Sequence, residues 1–105
     1  MPDSVAERTL RYRAGTTGEL RTLVVRVLPP FLLQEGQVDF PFHPGTAGCI
    51  VRIEGLPEAL EEVTYGADAL QALELAVSGV EPILKRVGKQ HELFFPTGEP
   101  YFEEQ

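Results

Sequence analysis

The feature that most constrains this chain is its one long helical pattern, predicted from about Ala67 to Val87, which follows a series of strand and turn patterns. Apolar residues recur along one stripe of this helix with the 3.6-residue period of an amphipathic helix. The stripe comprises Leu70, Leu73, Val77, Val80, Leu84 and Val87, flanked by Ala69, Ala72, Ala76 and Ile83. Gly66 frees the backbone for the turn into the helix, Asp68 complements the helix dipole at its start, and Gly88 is a natural C-terminal stop. One helix must therefore close the core of a mainly β chain.

Pro82 interrupts this pattern on its polar side. Because the hydrogen bond that it removes is to the exposed Ser78 carbonyl, water is able to substitute there. The sequence predicts a kink near Gly79–Pro82, with a break into two helices as the alternative.

Alternating and β-branched residues upstream of the helix predict four strands. These begin near Ala6, Leu20, Cys49 and Leu60, and the first two are joined through the turn residues 15–18. The fold class predicted is α+β, with an antiparallel four-stranded meander packed by one long C-terminal helix and followed by an aromatic tail. Residues 29–48 are rich in Pro, Gly and aromatic side chains, and a short extra strand near Val38–Phe42 is a further possibility.

A chain of 105 residues is long enough for one domain with its own core. We expect a single domain over 1–105, with the sheet at about 5–65, the helix at about 67–87 and the tail at 88–105. Cys49 is the only cysteine, and the chain has neither a signal-peptide pattern at its start nor a membrane-spanning apolar run. These features predict a cytoplasmic protein that does not associate with membranes.

Charge is unevenly distributed along the chain. Residues 1–53 carry six Arg against five acids, a net of +1, and residues 54–105 carry three basic residues against eleven acids, a net of −8, which together give the net charge of −7. Nucleic-acid binding needs a basic surface and is not expected. The acidic half is compatible with a basic protein partner, although such charge more often serves solubility.

No residue pattern points to a catalytic, metal or cofactor site. His43, His91 and Cys49 lack the spacing of a zinc site, and Cys49 opens an apolar strand, which favours a buried, inert thiol over a nucleophile. Nucleophile-elbow, phosphate-loop and dinucleotide motifs are absent from the sequence. We therefore expect a protein that is not an enzyme and that needs no cofactor.

A four-stranded sheet about 20 Å wide is only half covered by a helix roughly 10 Å across. The rest must be covered by residues 29–48, by the tail or by another copy of the protein. A homodimer joined through a sheet edge or an open sheet face is the predicted assembly. The candidate interaction surface comprises Phe31, Leu32, Phe40, Phe42, Leu75, Phe94, Phe95, Tyr101 and Phe102.

The stretches Cys49–Leu56 and Tyr65–Ala76 resemble a family of small bacterial proteins of unknown function. Members of that family look like a four-strand meander followed by a helix that opens with a Gly-x-Asp-x-x-Gln-Ala-Leu pattern, here Gly66 to Leu73. The resemblance covers about residues 5–87 and implies the fold, but it brings no activity.

Three functions follow as hypotheses. The first is a non-catalytic, self-associating or protein-binding module. The second is an acidic, immunity- or antitoxin-like inhibitor of a basic protein, acting through Glu58, Glu61 and Glu62. The third is a small enzyme or ligand carrier with a pocket between the helix, the sheet and residues 29–48.

Overall fold

The structure is a computed structural model that describes residues 4–14 and 18–102. An antiparallel sheet packs against a bent helix near the C-terminus, as the sequence predicts. Most of the turn predicted at residues 15–18 lies outside the described residues. The strands are β1 (Ala6–Ala14), β2 (Glu19–Val27), β3 (Phe31–Leu32), β4 (Ala47–Glu54), β5 (Leu60–Gly66) and β6 (Leu93–Phe94), and the helices are α1 (Ala69–Ser78) and α2 (Val80–Gly88).

The four long strands pair in the order β1-β2-β4-β5, which confirms the predicted meander. β6 adds to the outside of β1, and β3 pairs with β4 just beyond the end of β2. Pro29 and Pro30 interrupt the ladder at this point because proline has no N–H to donate. Phe31 then resumes the pairing opposite Gly48.

The extra strand therefore lies at Phe31–Leu32 and not at Val38–Phe42, the position that the sequence pattern suggested. In the described structure, residues 38–42 form no strand. The reason is the position of the pairing partner: Phe31 and Leu32 follow the Pro29-Pro30 interruption and meet Gly48 and Ala47, which pair with β5 on their other side but lie beyond the residues of β4 that β2 reaches.

Side-chain alternation gives the sheet two different faces. The inner face, which lies toward the helices, carries the core, and the outer face is mostly polar. The strand residues that form this core are Leu10, Tyr12, Ala14, Leu23, Val25, Val27, Ala47, Cys49, Val51, Ile53 and Leu93.

The start of α1 is fixed by a reciprocal set of hydrogen bonds. The Asp68 carboxylate accepts from the Gln71 backbone N–H at 2.8 Å, and the Gln71 side-chain oxygen accepts from the Ala67 N–H at 2.6 Å. Two N–H groups of the kind that helix ends leave unpaired are thereby satisfied. The role predicted for Asp68 at the helix entry is confirmed.

The bend predicted near Gly79–Pro82 is also confirmed, and the helix divides there into α1 and α2. Gly79 ends the first segment and caps the second. Pro82 consequently lies in the first turn of α2, where a backbone N–H has no helical partner in any case. A break at Gly79 thus removes most of the cost of a proline inside a helix.

The predicted buried stripe is wrong for two residues of α1. Leu70 is 66% exposed and Val77 is 53% exposed, whereas Ala72 and Ala76 are completely buried. The cause is the close approach of α1 to β5: a Cβ on Gly66 would lie 2.5 Å from the backbone nitrogen of Ala72. Only small residues fit at such a contact, so the alanine side of the helix faces the sheet and the larger side chains lie at its flanks.

We expect Gly66→Ala to destabilise the fold by about 1–3 kcal/mol, the usual cost of overpacking, because the clash is with backbone that is unable to move aside. Urea unfolding measures this loss. Gly88→Ala is the matched control, since its new methyl would meet the movable Phe102 ring at 3.2 Å, and a smaller loss is expected. Equal losses for both variants would contradict the role given to the α1–β5 contact.

Candidate interaction surface

The aromatic tail, part of the predicted interaction surface, docks on the fold itself. Phe94 is buried and pairs with Arg11 through β6. The Phe102 ring lies against Gly88 at the end of α2, and both Tyr101 and Phe102 pack against the core. Of the tail aromatics, Phe95 alone remains well exposed. The tail therefore covers part of the area that one helix leaves open.

Tyr101 anchors the tail through a small polar cluster. The Arg8 guanidinium donates to Glu81 at 2.7 Å and to the Tyr101 hydroxyl, which in turn donates to the Glu81 carboxylate. Burial raises the pKa of Tyr101, and the hydrogen bond to Glu81 raises it further, against a smaller lowering by Arg8. These three side chains hold β1, α2 and the tail together.

Residues 29–48 cover part of the outer face. The Phe31 ring lies directly over Gly48, where a Cβ would come within 2.6 Å of it. Phe40 meets Tyr65 of β5 edge-to-face, with ring centroids 5.2 Å apart. Leu32 is exposed, and Phe42 lines a cavity of about 490 Å³ that is formed by residues 33–44 themselves.

The far side of β5 is an open edge, because β4 is the one strand that pairs with it among the described residues. Leu28 N–H donates to the Ile50 carbonyl at 2.9 Å, so the even-numbered residues of β4 point their backbone groups toward β2 and β3. Backbone direction alternates along an antiparallel strand. The backbone N–H and C=O groups of Cys49 therefore point toward Thr64, its partner on β5.

The same alternation fixes the backbone of β5. Its even-numbered residues bond to β4, and Glu61, Val63 and Tyr65 direct their N–H and C=O groups away from the sheet. Within the part of the chain that the structure describes, the edge is thus a row of unpaired donors and acceptors.

Apolar side chains surround this row on both faces. Val63 is 42% exposed and Tyr65 37% exposed on the outer face. On α1, Val77 borders a cavity with Val25 and Val27 of β2, so its flank of the helix faces β2. Leu75 lies about 200° around the helix from Val77, on the flank toward the open edge, and is 45% exposed. We call Val63, Tyr65, Leu75 and the outward backbone groups the β5 edge surface.

The interaction surface predicted from the sequence includes Leu75 but not Val63 or Tyr65. Alternation placed both on a strand, yet it carried no signal that this strand ends the sheet. The one hint in the sequence that these residues flank an edge is that both are large and lie in the last strand before the helix.

The acids of β5 are neutralised within the chain. Arg52 Nε lies 2.7 Å from a Glu61 carboxylate oxygen, and Arg86 of α2 donates to Glu62. Glu61 and Glu62 therefore add little net charge to the β5 edge surface.

Another cavity, of about 470 Å³, lies between the β4–β5 turn and the end of α2. His91 lines it, and the buried Nδ1 atom of His91 has no hydrogen-bond partner in the described structure. The His91 ring packs edge-on against Tyr12, whose hydroxyl donates to the Gly55 carbonyl at 2.6 Å.

The other two residues considered for chemistry lie apart from His91. Cys49 is buried beneath α1, and burial raises the pKa of its thiol. His43 is exposed in the 29–48 segment. Within residues 4–14 and 18–102, no group of three or more His, Cys, Asp or Glu side chains is placed to hold a metal ion.

Comparison with protein-family models, with curated proteins and with solved structures finds no match. The resemblance to a family of unknown function therefore stays a prediction. None of the helices in the described part of the chain is long and apolar enough to cross a membrane.

We expect the pKa of Tyr101 to lie above the ordinary tyrosine value of about 10, because burial and Glu81 both disfavour the phenolate. The folded state then holds this proton more tightly than the unfolded state does. The resulting stability is fully present below the unfolded pKa and is lost as the pH rises through the folded pKa. The difference in tyrosinate absorbance between the wild type and Tyr101→Phe measures the shift, and a difference curve centred at or below the ordinary pKa would contradict it.

Proposed function

We propose that this protein is a non-catalytic, self-associating module whose contact surface is the β5 edge surface. The observation that carries the proposal is the combination of an unpaired strand edge with exposed apolar side chains on both sides of it. Val63 and Tyr65 flank the edge on the outer face, and Leu75 flanks it on the helix side. Backbone pairing and apolar burial would therefore act together at one place.

Edge strands are usually protected from strand addition by lysine, proline, a β-bulge or charged side chains that point inward. β5 contains neither lysine nor proline, and its register with β4 is unbroken from Leu60 to Gly66. Its two glutamates are held by Arg52 and Arg86. Charge repulsion at the approach of a second strand is correspondingly reduced.

The two other functions find less support. An acidic inhibitor acting through Glu58, Glu61 and Glu62 would have to displace the arginines that already neutralise Glu61 and Glu62. A ligand carrier would need a pocket between the helix, the sheet and the 29–48 segment, whereas the cavity of that segment is lined by its own residues.

Val63→Glu should shift the protein from dimer to monomer, because it puts a charge where a second edge would pack. Sedimentation equilibrium over the micromolar range measures the change. Val77→Glu is the matched control: it makes the same substitution at an exposed valine on the opposite flank, and it should leave the dimer intact.

A wild-type protein that sediments as a monomer throughout this range would contradict self-association. A dimer that is disrupted by Val77→Glu but not by Val63→Glu would place the contact at the β2 flank of α1 instead of the β5 edge.

A further inference from the structure

We infer that the self-association is a twofold dimer in which β5 pairs antiparallel with β5 of a second copy, with Val63 on the symmetry axis. The inference rests on the proposed function and adds the partner, the register and the symmetry. In this register Val63 lies opposite Val63 of the second copy, and Glu61 lies opposite Tyr65 of the second copy.

Backbone geometry favours this register. Val63, Glu61 and Tyr65 are the β5 residues whose N–H and C=O groups point outward. An antiparallel pair that exchanges both hydrogen bonds needs outward-pointing residues on both strands. With Val63 on the axis, every outward group of these three residues finds a partner on the second copy.

Registers shifted by one step leave groups unpaired. With Glu62 on the axis, Glu62 would lie opposite Glu62 of the second copy, and Tyr65 would face residue 59 of that copy, which is outside the strand. With Thr64 on the axis, Glu61 would face residue 67, again beyond β5. Like charges directly opposite each other in a sheet are destabilising, which further disfavours the first of these.

The side chains suit the Val63-centred register as well. Valines meet at the axis on the outer face, and each Tyr65 lies beside a Glu61 that Arg52 already binds. On the inner face Glu62, bound by Arg86, lies opposite Thr64. Opposed positions therefore carry no like-charged pair.

The helices fit the same arrangement. α1 packs over β4 and β5, so its axis is displaced from β5 by about half of the ~4.8 Å strand spacing. Two such helices related by the twofold axis would lie roughly 10 Å apart, at the upper end of the 8–10 Å found for packed helices. Leu75 is the large apolar residue on the flank that would enter this gap.

Disulfide trapping tests the register directly. Residues that exchange both hydrogen bonds have Cα atoms about 5.5 Å apart, within the range that a disulfide spans. Mild oxidation of Val63→Cys should therefore give a covalent dimer on a non-reducing denaturing gel. The wild type, whose one thiol is the buried Cys49, is the control and should stay uncrosslinked.

Tyr65→Cys alone is the matched negative control. In this register residue 65 lies opposite residue 61 of the second copy. The two residues 65 are then about 13 Å apart along the strands, which is too far for a disulfide. Combining Glu61→Cys with Tyr65→Cys should restore the covalent dimer. Trapping by Tyr65→Cys but not by Val63→Cys would overturn the register.

Val63→Pro gives an independent test of the backbone hydrogen bonds between the two β5 strands. The N–H that it removes points away from β4, a position where an edge strand tolerates proline. The variant should keep the circular dichroism of the wild type and show an increase of about tenfold to a hundredfold in the dimer dissociation constant. A folded Val63→Pro with unchanged dimerisation would overturn the inference.

The inference and the proposed function fail in different ways. A wild type that sediments as a dimer while Val63→Cys resists trapping overturns the register and leaves self-association supported. A wild type that sediments as a monomer overturns self-association, and the register with it.

Discussion

The contact on which the rest of the structure depends is the close approach of α1 to β5. Gly66 has no side chain at the point where the backbone of Ala72 passes, and the Thr64 hydroxyl donates to the Ala72 carbonyl at 3.3 Å. A helix held this close buries its alanine face, because larger side chains do not fit between helix and strand. The leucines and valines of α1 are thereby displaced to its two flanks.

This placement decides how the rest of the sheet is covered. α1 lies over β4 and β5, so the β1 side needs another cover. The break at Gly79 lets α2 take a new direction, and Glu81 of α2 meets Arg8 of β1. Tyr101 and Phe102 complete the layer, since the tail returns along β6 and packs against α2. The aromatic tail therefore belongs to the core more than to an exposed surface.

Ion pairs between the two halves of the chain offset part of the uneven charge of the sequence. Arginines from the first half of the chain pair with glutamates from the second half: Arg52 with Glu61, Arg26 with Glu54, Arg13 with Glu92 and Arg8 with Glu81. Exposed pairs of this kind contribute little to stability, but they neutralise the acids locally. As a result, the open edge of β5 is a better candidate for strand pairing than its sequence suggests.

The sequence by itself determined the four long strands, the entry of the helix at Asp68 and the bend near Pro82, because each depends on neighbours within a few residues. It also identified Leu75 as a large apolar residue outside the main helical stripe. Only the tertiary structure decided which face of α1 is buried, where the chain resumes pairing after Pro30, and that β5 ends the sheet with Val63 and Tyr65 beside an open edge. These features depend on contacts between residues distant in the chain, such as Gly66 against Ala72 and Phe31 against Gly48, and periodicity along the sequence contains no record of them.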